Sequence, residues 1–478
     1  MANLFPDKMY IAGEWVDKEE KIDVFNPATQ EVIGTVPNGN ENEAEKAVNA
    51  AFEAGKEWSK RTAHERSSIL LEWARLVEEH TDDLAETMTI EQGKPLAEAK
   101  GEIAYANSFI TWFAEEGKRI YGETIPASHP NKRLFVHKQP VGVVAAITPW
   151  NFPAAMITRK VGPALAAGCT VVLKPSEETP FTALKLAELA CRAGVPAGVL
   201  NIVTGDAKRI TEAWQKDERV RKLTFTGSTE VGKLLMRGAA DTVKKISLEL
   251  GGHAPFIITN HADINKAVEG AIASKFRNAG QTCVCANRIL VQKGVYEEFV
   301  KRYTEKVSSL KIGNGLETGV EIGPLINQEA IDKAMAHLRD AQEKGGEVLT
   351  GGQVLSDSNG YYLTPAVISG ATDDMQCMQE ETFGPIAPIA PFENVEEAVE
   401  RANNTPFGLA AYVYSDKISE AIYIAENLEY GIVGVNDGLP SVAQAPFGGF
   451  KQSGLGREGS HHGIDEFLEV KYISLGLN

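Results

Sequence analysis

The chain has 478 residues, of which 43% are hydrophobic and 24% charged, a balance typical of a soluble globular protein with two or three domains. The net charge of -17 argues against a nucleic-acid partner, and no apolar run approaches the ~20 residues that span a membrane. Five cysteines are too few for a disulfide framework and the stretch 1–7 lacks signal-peptide features, so we expect a cytoplasmic protein.

Helical patterns dominate the first part of the chain. Apolar residues recur with helical spacing over 42–58 and 62–80, which predicts two amphipathic helices, and the second begins with a Thr-x-x-Glu capping box. A further helix is predicted from about 98 to 117. The stretch 121–140 contains prolines and alternating apolar residues, and we expect it to form an exposed hairpin or arm.

Two blocks of short apolar strands follow, each alternating with helical stretches. The first block has strands at 141–148, 169–174, 200–204, 222–226 and 245–249. The second block has strands at 254–258, 287–291, 386–391, 410–414 and 431–435. This alternation predicts an α/β fold with parallel sheets covered by helices on both faces. A late strand at 468–475 has no helix after it, and we expect it to pair with the arm.

Polar residues stand where the strands of the first block end. They are Asn151, Lys174, Glu177, Ser228 and Glu249. Because parallel sheets bind ligands at the carboxyl ends of their strands, this edge is the predicted binding site.

A nucleophile and a base are predicted from two segments. Cys283 lies in a turn rich in glycine and polar residues, directly before a predicted strand. Glu249 ends a buried strand before Gly251 and Gly252, where a carboxylate is costly unless it is used or paired. Either residue alone is typical of ordinary structure, but together they are the minimum for covalent acyl chemistry.

The stretch 225–234 follows a strand, opens a helix and almost satisfies the P-loop pattern. Leu234 stands where that pattern requires Ser or Thr to ligate magnesium. We therefore expect a helix N-terminus that contacts a diphosphate through backbone N–H groups, without nucleotide hydrolysis. The fingerprint G-x-G-x-x-G is absent, so a dinucleotide must be held in another way, with Lys174 and Glu177 as candidate ribose partners. Asn151, in the proline-flanked stretch 148–153, is a rigid amide donor suited to an oxyanion.

These segments resemble the motif series of the aldehyde dehydrogenase superfamily, in order and over nearly the whole chain. The matching stretches are 148–153, 174–177, 225–232, 249–252, 280–283, 381–385 and 447–454. The resemblance implies a Rossmann-like parallel-sheet coenzyme domain from 1–120 and 141–251 and an α/β catalytic domain from 252–457. A small β oligomerisation domain would come from 121–140 and 458–478.

The resemblance also implies a role for each matching residue. Cys283 would be the nucleophile, Glu249 the general base, and Asn151 with the Cys283 backbone N–H the oxyanion hole. The residues that would contact the cofactor are Trp150, Lys174, Ser176, Glu177, Gly227, Ser228, Leu250, Glu381 and Phe383. The cofactor would be NAD, with NADP as the alternative, because the Glu177 charge should repel a 2′-phosphate. No metal is expected.

A narrower resemblance, to succinate-semialdehyde dehydrogenases, concerns the substrate. The stretches 156–160, 276–280 and 283–288 carry it, and it implies that Arg159, Arg277 and Ser441 hold the far carboxylate of the aldehyde. Either arginine could instead pair with a structural carboxylate. Glutarate semialdehyde and a broad range of aldehydes are the alternative substrates. A non-catalytic scaffold and a coenzyme-A-acylating enzyme are disfavoured, the latter because it needs no water-activating base.

Two further expectations follow from the same resemblance. A single valine separates Cys285 from Cys283. A reversible disulfide between the two cysteines would block the active site. The arm and the late strand imply a homodimer or a homotetramer. The only other partner expected is a small aldehyde with a terminal carboxylate.

Overall fold

The computed structural model describes residues 5–355 and 359–477. The prediction that residues 1–7 are not a signal peptide therefore falls partly outside the described residues, since 1–4 are not among them. Its strands are β1 (Met9–Ile11), β2 (Glu14–Val16), β3 (Lys21–Phe25), β4 (Val32–Pro37), β5 (Glu123–Ile125), β6 (Lys132–Pro140), β7 (Val143–Ile147), β8 (Thr170–Lys174), β9 (Leu200–Ile202), β10 (Val220–Thr226), β11 (Lys245–Glu249), β12 (Ala254–Ile258), β13 (Ala286–Gln292), β14 (Glu347–Thr350), β15 (Ala366–Ser369), β16 (Ile386–Phe392), β17 (Ala410–Tyr414), β18 (Ile432–Val435), β19 (Gly454–Leu455) and β20 (Leu468–Gly476).

Helices separate most of these strands. They are α1 (Glu41–Trp58), α2 (Ala63–Glu79), α3 (Thr81–Gln92), α4 (Leu96–Glu116), α5 (Ala155–Ala167), α6 (Pro180–Arg192), α7 (Ala207–Lys216), α8 (Thr229–Ala240), α9 (Ile264–Phe276), α10 (Tyr296–Ser308), α11 (Gln328–Glu343), α12 (Gln376–Gln379), α13 (Val395–Asn403), α14 (Ile418–Asn427) and α15 (Ser460–Asp465). No helix in the described ranges is long and apolar enough to cross a membrane.

The predicted helices α1, α2 and α4 form where their apolar spacing placed them, and the capping box at the start of α2 is present. The sequence pattern did not predict α3. Its buried face mixes Leu84 and Met88 with polar Thr87, Thr89 and Glu91, which weakens the apolar stripe. Tertiary contacts stabilise this helix instead, since the Glu91 carboxylate accepts hydrogen bonds from backbone N–H groups at the start of α6.

The first sheet has the strand order β19-β11-β10-β7-β8-β9-β1-β2 in the described part of the chain. Its central strands β7 to β11 are parallel to one another, and β19 and β1 are antiparallel to their neighbours. Along β7, Val144 and Ala146 enter one hydrophobic cluster whereas Val143 and Ala145 enter another. Helices therefore cover both faces, as predicted, and the carboxyl ends of β7, β10 and β11 meet at one edge.

The second sheet has the order β14-β15-β16-β13-β12-β17-β18, with all neighbours parallel except β14 and β15. All the strands predicted for the second block are present, and the predicted α/β fold is confirmed. Strands β14 and β15 were not predicted. Both are only four residues long, and β14 has no buried residue, so it lacks the buried apolar pattern.

A separate three-stranded sheet has the order β20-β6-β5. Strand β20 pairs antiparallel with β6 along its whole length, from Leu468 opposite Pro140 to Gly476 opposite Lys132. This pairing confirms the expected contact between the late strand and the arm. The division into three domains stays a prediction, and β19, from the stretch 252–457, lies in the first sheet rather than the second.

Candidate active site

A cavity of about 380 Å³ lies between the carboxyl edge of the first sheet and the segments that precede β13 and β16. Many of the residues predicted to act on substrate or cofactor line it together. They are Trp150, Asn151, Gly227, Ser228, Leu250, Cys283, Glu381 and Phe383. The cavity therefore joins the predicted nucleophile to most of the predicted cofactor contacts.

Glycines allow the segment of Cys283 to pack closely against its neighbours. Asn278 and Ala279 have left-handed φ values of 52° and 55°, followed by Gly280 at 77°. A Cβ at Gly280 would collide with the carbonyl oxygen of Gly384, and a Cβ at Gly252 would collide with that of Cys283. The glycine after the predicted base thus permits close contact with the predicted nucleophile.

Glu249 ends β11 with only 3% of its surface exposed. Within the residues described, its Oε2 atom has no hydrogen-bond partner. Burial raises the pKa of Glu249 well above 4.5, Glu458 adds to the rise, and Arg159 opposes it. A carboxylate with a raised pKa and an unpartnered oxygen is a stronger base than an ordinary carboxylate, which suits it to accept a proton.

The surroundings of Cys283 favour its thiol over the thiolate. Burial raises its pKa to about 12, with Arg159 opposing the rise and Glu249 adding to it. Thiolates rather than thiols attack carbonyls, so the thiol needs a proton acceptor. The predicted base, Glu249, ends the strand that leads to Gly252, and Gly252 packs against the Cys283 carbonyl.

Asn151 is held by its side chain and by its backbone. Its Nδ2 donates to the carbonyl oxygen of Gln281 at 3.0 Å, which leaves the second N–H of the amide available. Its own carbonyl oxygen accepts hydrogen bonds from Lys94 Nζ at 2.8 Å and from Asn278 Nδ2 at 2.9 Å. The amide is therefore fixed beside the turn that precedes Cys283.

The predicted diphosphate and nicotinamide contacts also line the cavity. Ser228 caps α8 by accepting a hydrogen bond from the Val231 N–H at 3.3 Å. The Glu381 carboxylate accepts a hydrogen bond from the Gly252 N–H at 3.0 Å, and burial raises its pKa to about 7. The rings of Trp150 and Phe383 meet edge to face, with their centroids 5.6 Å apart.

The predicted ribose partners lie outside this cavity, after the neighbouring strand β8. Lys174 is buried and its Nζ is 2.6 Å from Oε2 of Glu177, whose side chain is 52% exposed. Partial burial acts to raise the pKa of Glu177, but the Lys174 ammonium lowers it below its ordinary value. Ser176 is buried, and its hydroxyl accepts a hydrogen bond from the Glu178 N–H at 3.3 Å.

The predicted carboxylate-binding residues gather around Tyr105 of α4. Burial raises the pKa of Tyr105, whereas the charges of Arg159 and Arg277 and a hydrogen bond with Ser441 act to lower it. Arg277 is partly exposed, forms no ion pair within the described ranges, and has its guanidinium 5.1 Å from the centre of the Phe152 ring. Its charge is therefore available to a ligand.

Arg159 differs from Arg277 because it already has a carboxylate partner. It is 1% exposed, and its Nε is 2.7 Å from Oε2 of Glu458. Its Nη2 atom has no hydrogen-bond partner in the described part of the chain. The structural pairing considered as the alternative for Arg159 is thus present, and Arg159 does not itself line the cavity that contains Cys283.

Sequence reasoning missed Glu458 and Lys160. The Lys160 ammonium contacts Glu458 and donates to the Thr226 hydroxyl at 2.7 Å. Burial acts to raise the pKa of Glu458, but Lys160 and Arg159 hold it below its ordinary value. Two signals could have revealed this cluster: consecutive cations in the otherwise apolar helix α5, and a carboxylate between two glycines at 456 and 459.

Cys285 is fully buried and does not line the cavity with Cys283. Its Sγ is 3.3 Å from Nζ of Lys275 and donates weakly to the Lys275 carbonyl oxygen. The redox role of Cys285 stays a prediction. No group of three or more His, Cys, Asp or Glu side chains in the described residues is arranged to hold a metal ion.

Comparison with known proteins identifies the family. Residues 15–473 match the aldehyde dehydrogenase family. The chain is 56% identical over 478 residues to the Escherichia coli protein named succinate-semialdehyde dehydrogenase [NADP(+)] GabD, covering 100% of this chain and 99% of that one. It is also 56% identical over 478 residues, with the same coverage, to a glutarate-semialdehyde dehydrogenase of Pseudomonas putida.

A crystal structure of betaine aldehyde dehydrogenase from Staphylococcus aureus in complex with NAD+ has the same fold, with a TM-score of 0.97 and 37% identity over 99% of this chain and 96% of that one. The stretch that matches the family contains all the segments that line the cavity, the whole second sheet, and the first sheet except β1 and the first residue of β2. The chain therefore belongs to the aldehyde dehydrogenase family.

Proposed function

We propose that the protein oxidises succinate semialdehyde to succinate with NAD or NADP, through a thiohemiacetal and a thioester on Cys283. One observation carries the proposal. Arg277 has its guanidinium 5.1 Å from the centre of the Phe152 ring, next to Asn151, and Arg159 lies one helical turn after the cavity-lining Met156 on α5, so both cations come from segments that border the cavity of Cys283. A short aldehyde whose carbonyl carbon meets Cys283 then has a matching charge for its far carboxylate.

The protein groups divide the reaction between them. Cys283 attacks the carbonyl carbon after its proton is accepted, and its backbone N–H and the free N–H of Asn151 stabilise the oxyanion. Glu249 accepts a proton from the water that hydrolyses the thioester. The Ser228-capped N-terminus of α8 and the Glu381 carboxylate fit the diphosphate and a ribose of a dinucleotide. When bound, that cofactor accepts the hydride.

The same geometry supports a preference for NAD. Glu177 carries its charge at neutral pH, because Lys174 lowers its pKa, and this charge should repel the 2′-phosphate of NADP. The adjacent Lys174 ammonium offsets part of the repulsion. The E. coli relative is named for NADP(+), so we expect both cofactors to support turnover, with NAD the better one.

Glutarate semialdehyde is the second candidate substrate, since the P. putida relative is named for it. Glutarate semialdehyde is one methylene longer than succinate semialdehyde, and burial of one methylene changes the binding free energy by about 0.8 kcal/mol. The retained Glu249 speaks against a coenzyme-A-acylating enzyme, and the shared cavity of Cys283 and Asn151 speaks against a non-catalytic scaffold.

An activity panel tests the proposal. We expect the highest kcat/KM for succinate semialdehyde with NAD, a lower value for glutarate semialdehyde, and a far lower one for butanal. Each aldehyde is assayed with both cofactors by following cofactor reduction. Equal values for butanal and succinate semialdehyde would exclude the carboxylate-binding site, and a higher value with NADP would refute the cofactor preference.

The mutant Arg277→Ala separates binding of the carboxylate from the chemistry. We expect its KM for succinate semialdehyde to rise about 10- to 100-fold, the cost of a charge-assisted hydrogen bond, with little change in KM for butanal. Arg277→Lys should recover part of the loss. Arg159→Ala is a poorer test, because it leaves Glu458 buried without one of its two cations. If Arg277→Ala impairs both aldehydes equally, Arg277 does not bind the carboxylate.

Three further features belong to the proposal. Strand β20 exposes the apolar side chains of Val470, Tyr472 and Leu475, and a second copy of the chain would cover them, which supports a homodimer or homotetramer. The five thiols are unpaired, which supports a reducing, cytoplasmic location. A reversible Cys283–Cys285 disulfide would then act as a redox control of the same site.

A further inference from the structure

Several polar side chains of residues 92–102, a stretch outside the cavity, contact residues that hold the active site, among them Asn151 and Asn278. The stretch runs from the last residue of α3 through Gly93 and Pro95 to the second turn of α4. None of its residues lines the cavity that contains Cys283. We call this stretch the support segment.

Lys94 is the central residue of the support segment. Its side chain is 1% exposed, and its ammonium contacts the equally buried carboxylate of Glu102. It also donates to the carbonyl oxygen of Asn151 at 2.8 Å and lies 4.0 Å from the centre of the Phe152 ring. A buried ammonium is costly unless it is paired, and here it is paired with one carboxylate and one backbone carbonyl of the predicted oxyanion hole.

Glu102 extends the contact to the helix that follows. Its other oxygen, Oε1, accepts hydrogen bonds from the N–H groups of Ala154 at 2.9 Å and Ala155 at 3.2 Å. Ala154, the N-cap residue of α5, has no side chain that could cap the helix. Glu102 therefore provides the missing cap at the N-terminus of the helix that carries Arg159.

The rest of the support segment binds Asn278, on the other side of Asn151. Glu98 Oε2 accepts a hydrogen bond from the Asn278 N–H at 2.8 Å, and Gln92 Nε2 donates to Oδ1 of Asn278 at 3.0 Å. Asn278 in turn donates to the same carbonyl oxygen of Asn151 that Lys94 contacts. That oxygen is thus held from two directions, and its amide group has little freedom to shift.

We propose that Lys94 is a positioning residue for aldehyde oxidation: its ammonium, anchored by Glu102, fixes the Asn151 backbone so that the Asn151 amide points at the oxyanion. The proposal rests on the proposed function, because it takes Asn151 as an oxyanion donor. Removal of Lys94 should leave the Asn151 carbonyl with one hydrogen-bond donor instead of two. Small displacements of a group that stabilises a transition state reduce the rate strongly, while leaving substrate binding largely unchanged.

A double-mutant cycle between Lys94→Met and Asn151→Ala tests this. The rate of hydride transfer is measured in a single turnover with NAD, once with succinate semialdehyde and once with butanal. We expect Lys94→Met to slow it about 10-fold or more with both aldehydes, and Asn151→Ala to slow it about 10²- to 10³-fold. The double mutant should be no slower than Asn151→Ala alone, since Lys94 acts through Asn151. The KM values for NAD and for the aldehydes should change little.

Lys222→Met is the matched control. Lys222 is also a fully buried lysine, lies 5.2 Å from the Phe467 ring and 3.5 Å from a carboxylate oxygen of Glu466, and is far from the cavity-facing end of β10. Its loss should affect stability without slowing hydride transfer. The double mutant Lys94→Met, Glu102→Gln removes both buried charges and keeps a side-chain oxygen to cap α5. It replaces Lys94→Met in the rate measurement if that single mutant does not fold. We expect the same slowing from it.

The outcomes separate the two proposals. If Asn151→Ala retains the normal rate, the role of Asn151 in the proposed function is wrong, and the inference about Lys94 is wrong with it. In a second outcome, Asn151→Ala is slow, and adding Lys94→Met to it slows hydride transfer further by the same factor as in the unaltered protein. The two residues then act independently, and only the inference about Lys94 is overturned. Slowing of Lys222→Met to the same extent would likewise overturn it, because loss of any buried lysine would then be sufficient.

Discussion

Replacement of Cys283 by alanine should reduce aldehyde oxidation by more than about 10³-fold with every aldehyde, because no other thiol lines the cavity in the described part of the chain. Cofactor reduction, followed after mixing protein, NAD and succinate semialdehyde, measures the loss. The mutant should still bind NAD, since the side chain is not among the predicted diphosphate or ribose contacts.

Cys285→Ala is the control for that experiment. Cys285 is fully buried beside Lys275, so its replacement should leave most of the activity and cost some stability. An active Cys283→Ala together with an inactive Cys285→Ala would show that the nucleophile has been assigned to the wrong cysteine.

Replacement of Glu249 by glutamine should slow hydrolysis of the thioester by about 10²-fold or more, the usual contribution of a general base. If attack by Cys283 remains fast, mixing the mutant with NAD and aldehyde should give a burst of reduced cofactor, followed by slow turnover. A mutant with normal steady-state turnover would show that another group activates the water.

The pH dependence follows from the raised pKa of Glu249. Only the ionised carboxylate can accept a proton, and burial shifts its ionisation to a pH well above 4.5. The kcat of the unaltered protein should therefore fall as the pH falls through that raised pKa. The acidic limb of the profile should disappear in Glu249→Gln, and a limb that persists would come from a different group.

Local sequence patterns predicted the parts of this site that lie within one element. Glu249 at the end of β11 and Cys283 before β13 could be placed because strand ends and glycine-rich turns have short-range signals. The alternation of strands and helices was sufficient to predict both parallel sheets. The pairing of the arm with β20 was predicted for a similar reason, since an unpartnered apolar strand needs an edge to pair with.

Contacts between distant segments could not be predicted in this way. Lys94 lies 57 residues from Asn151, and Glu458 lies 298 residues from Lys160, so no local periodicity relates either pair. Each pair is formed by tertiary packing, which buries charges that the sequence alone would leave on the surface. The structural pairing left open for Arg159 could not be resolved from the sequence for the same reason, because its partner Glu458 comes from the other end of the chain.

The different surroundings of the two arginines have an evolutionary consequence. Arg277 has no ion-pair partner in the described residues, so its replacement would leave no carboxylate unpaired and needs no compensating substitution. Arg159 shares Glu458 with Lys160, and its replacement would leave the buried Oε2 atom of Glu458 without its cation, a cost that a compensating change at 458 would remove. Divergence toward uncharged substrates should therefore begin at 277 and reach 159 only together with 458.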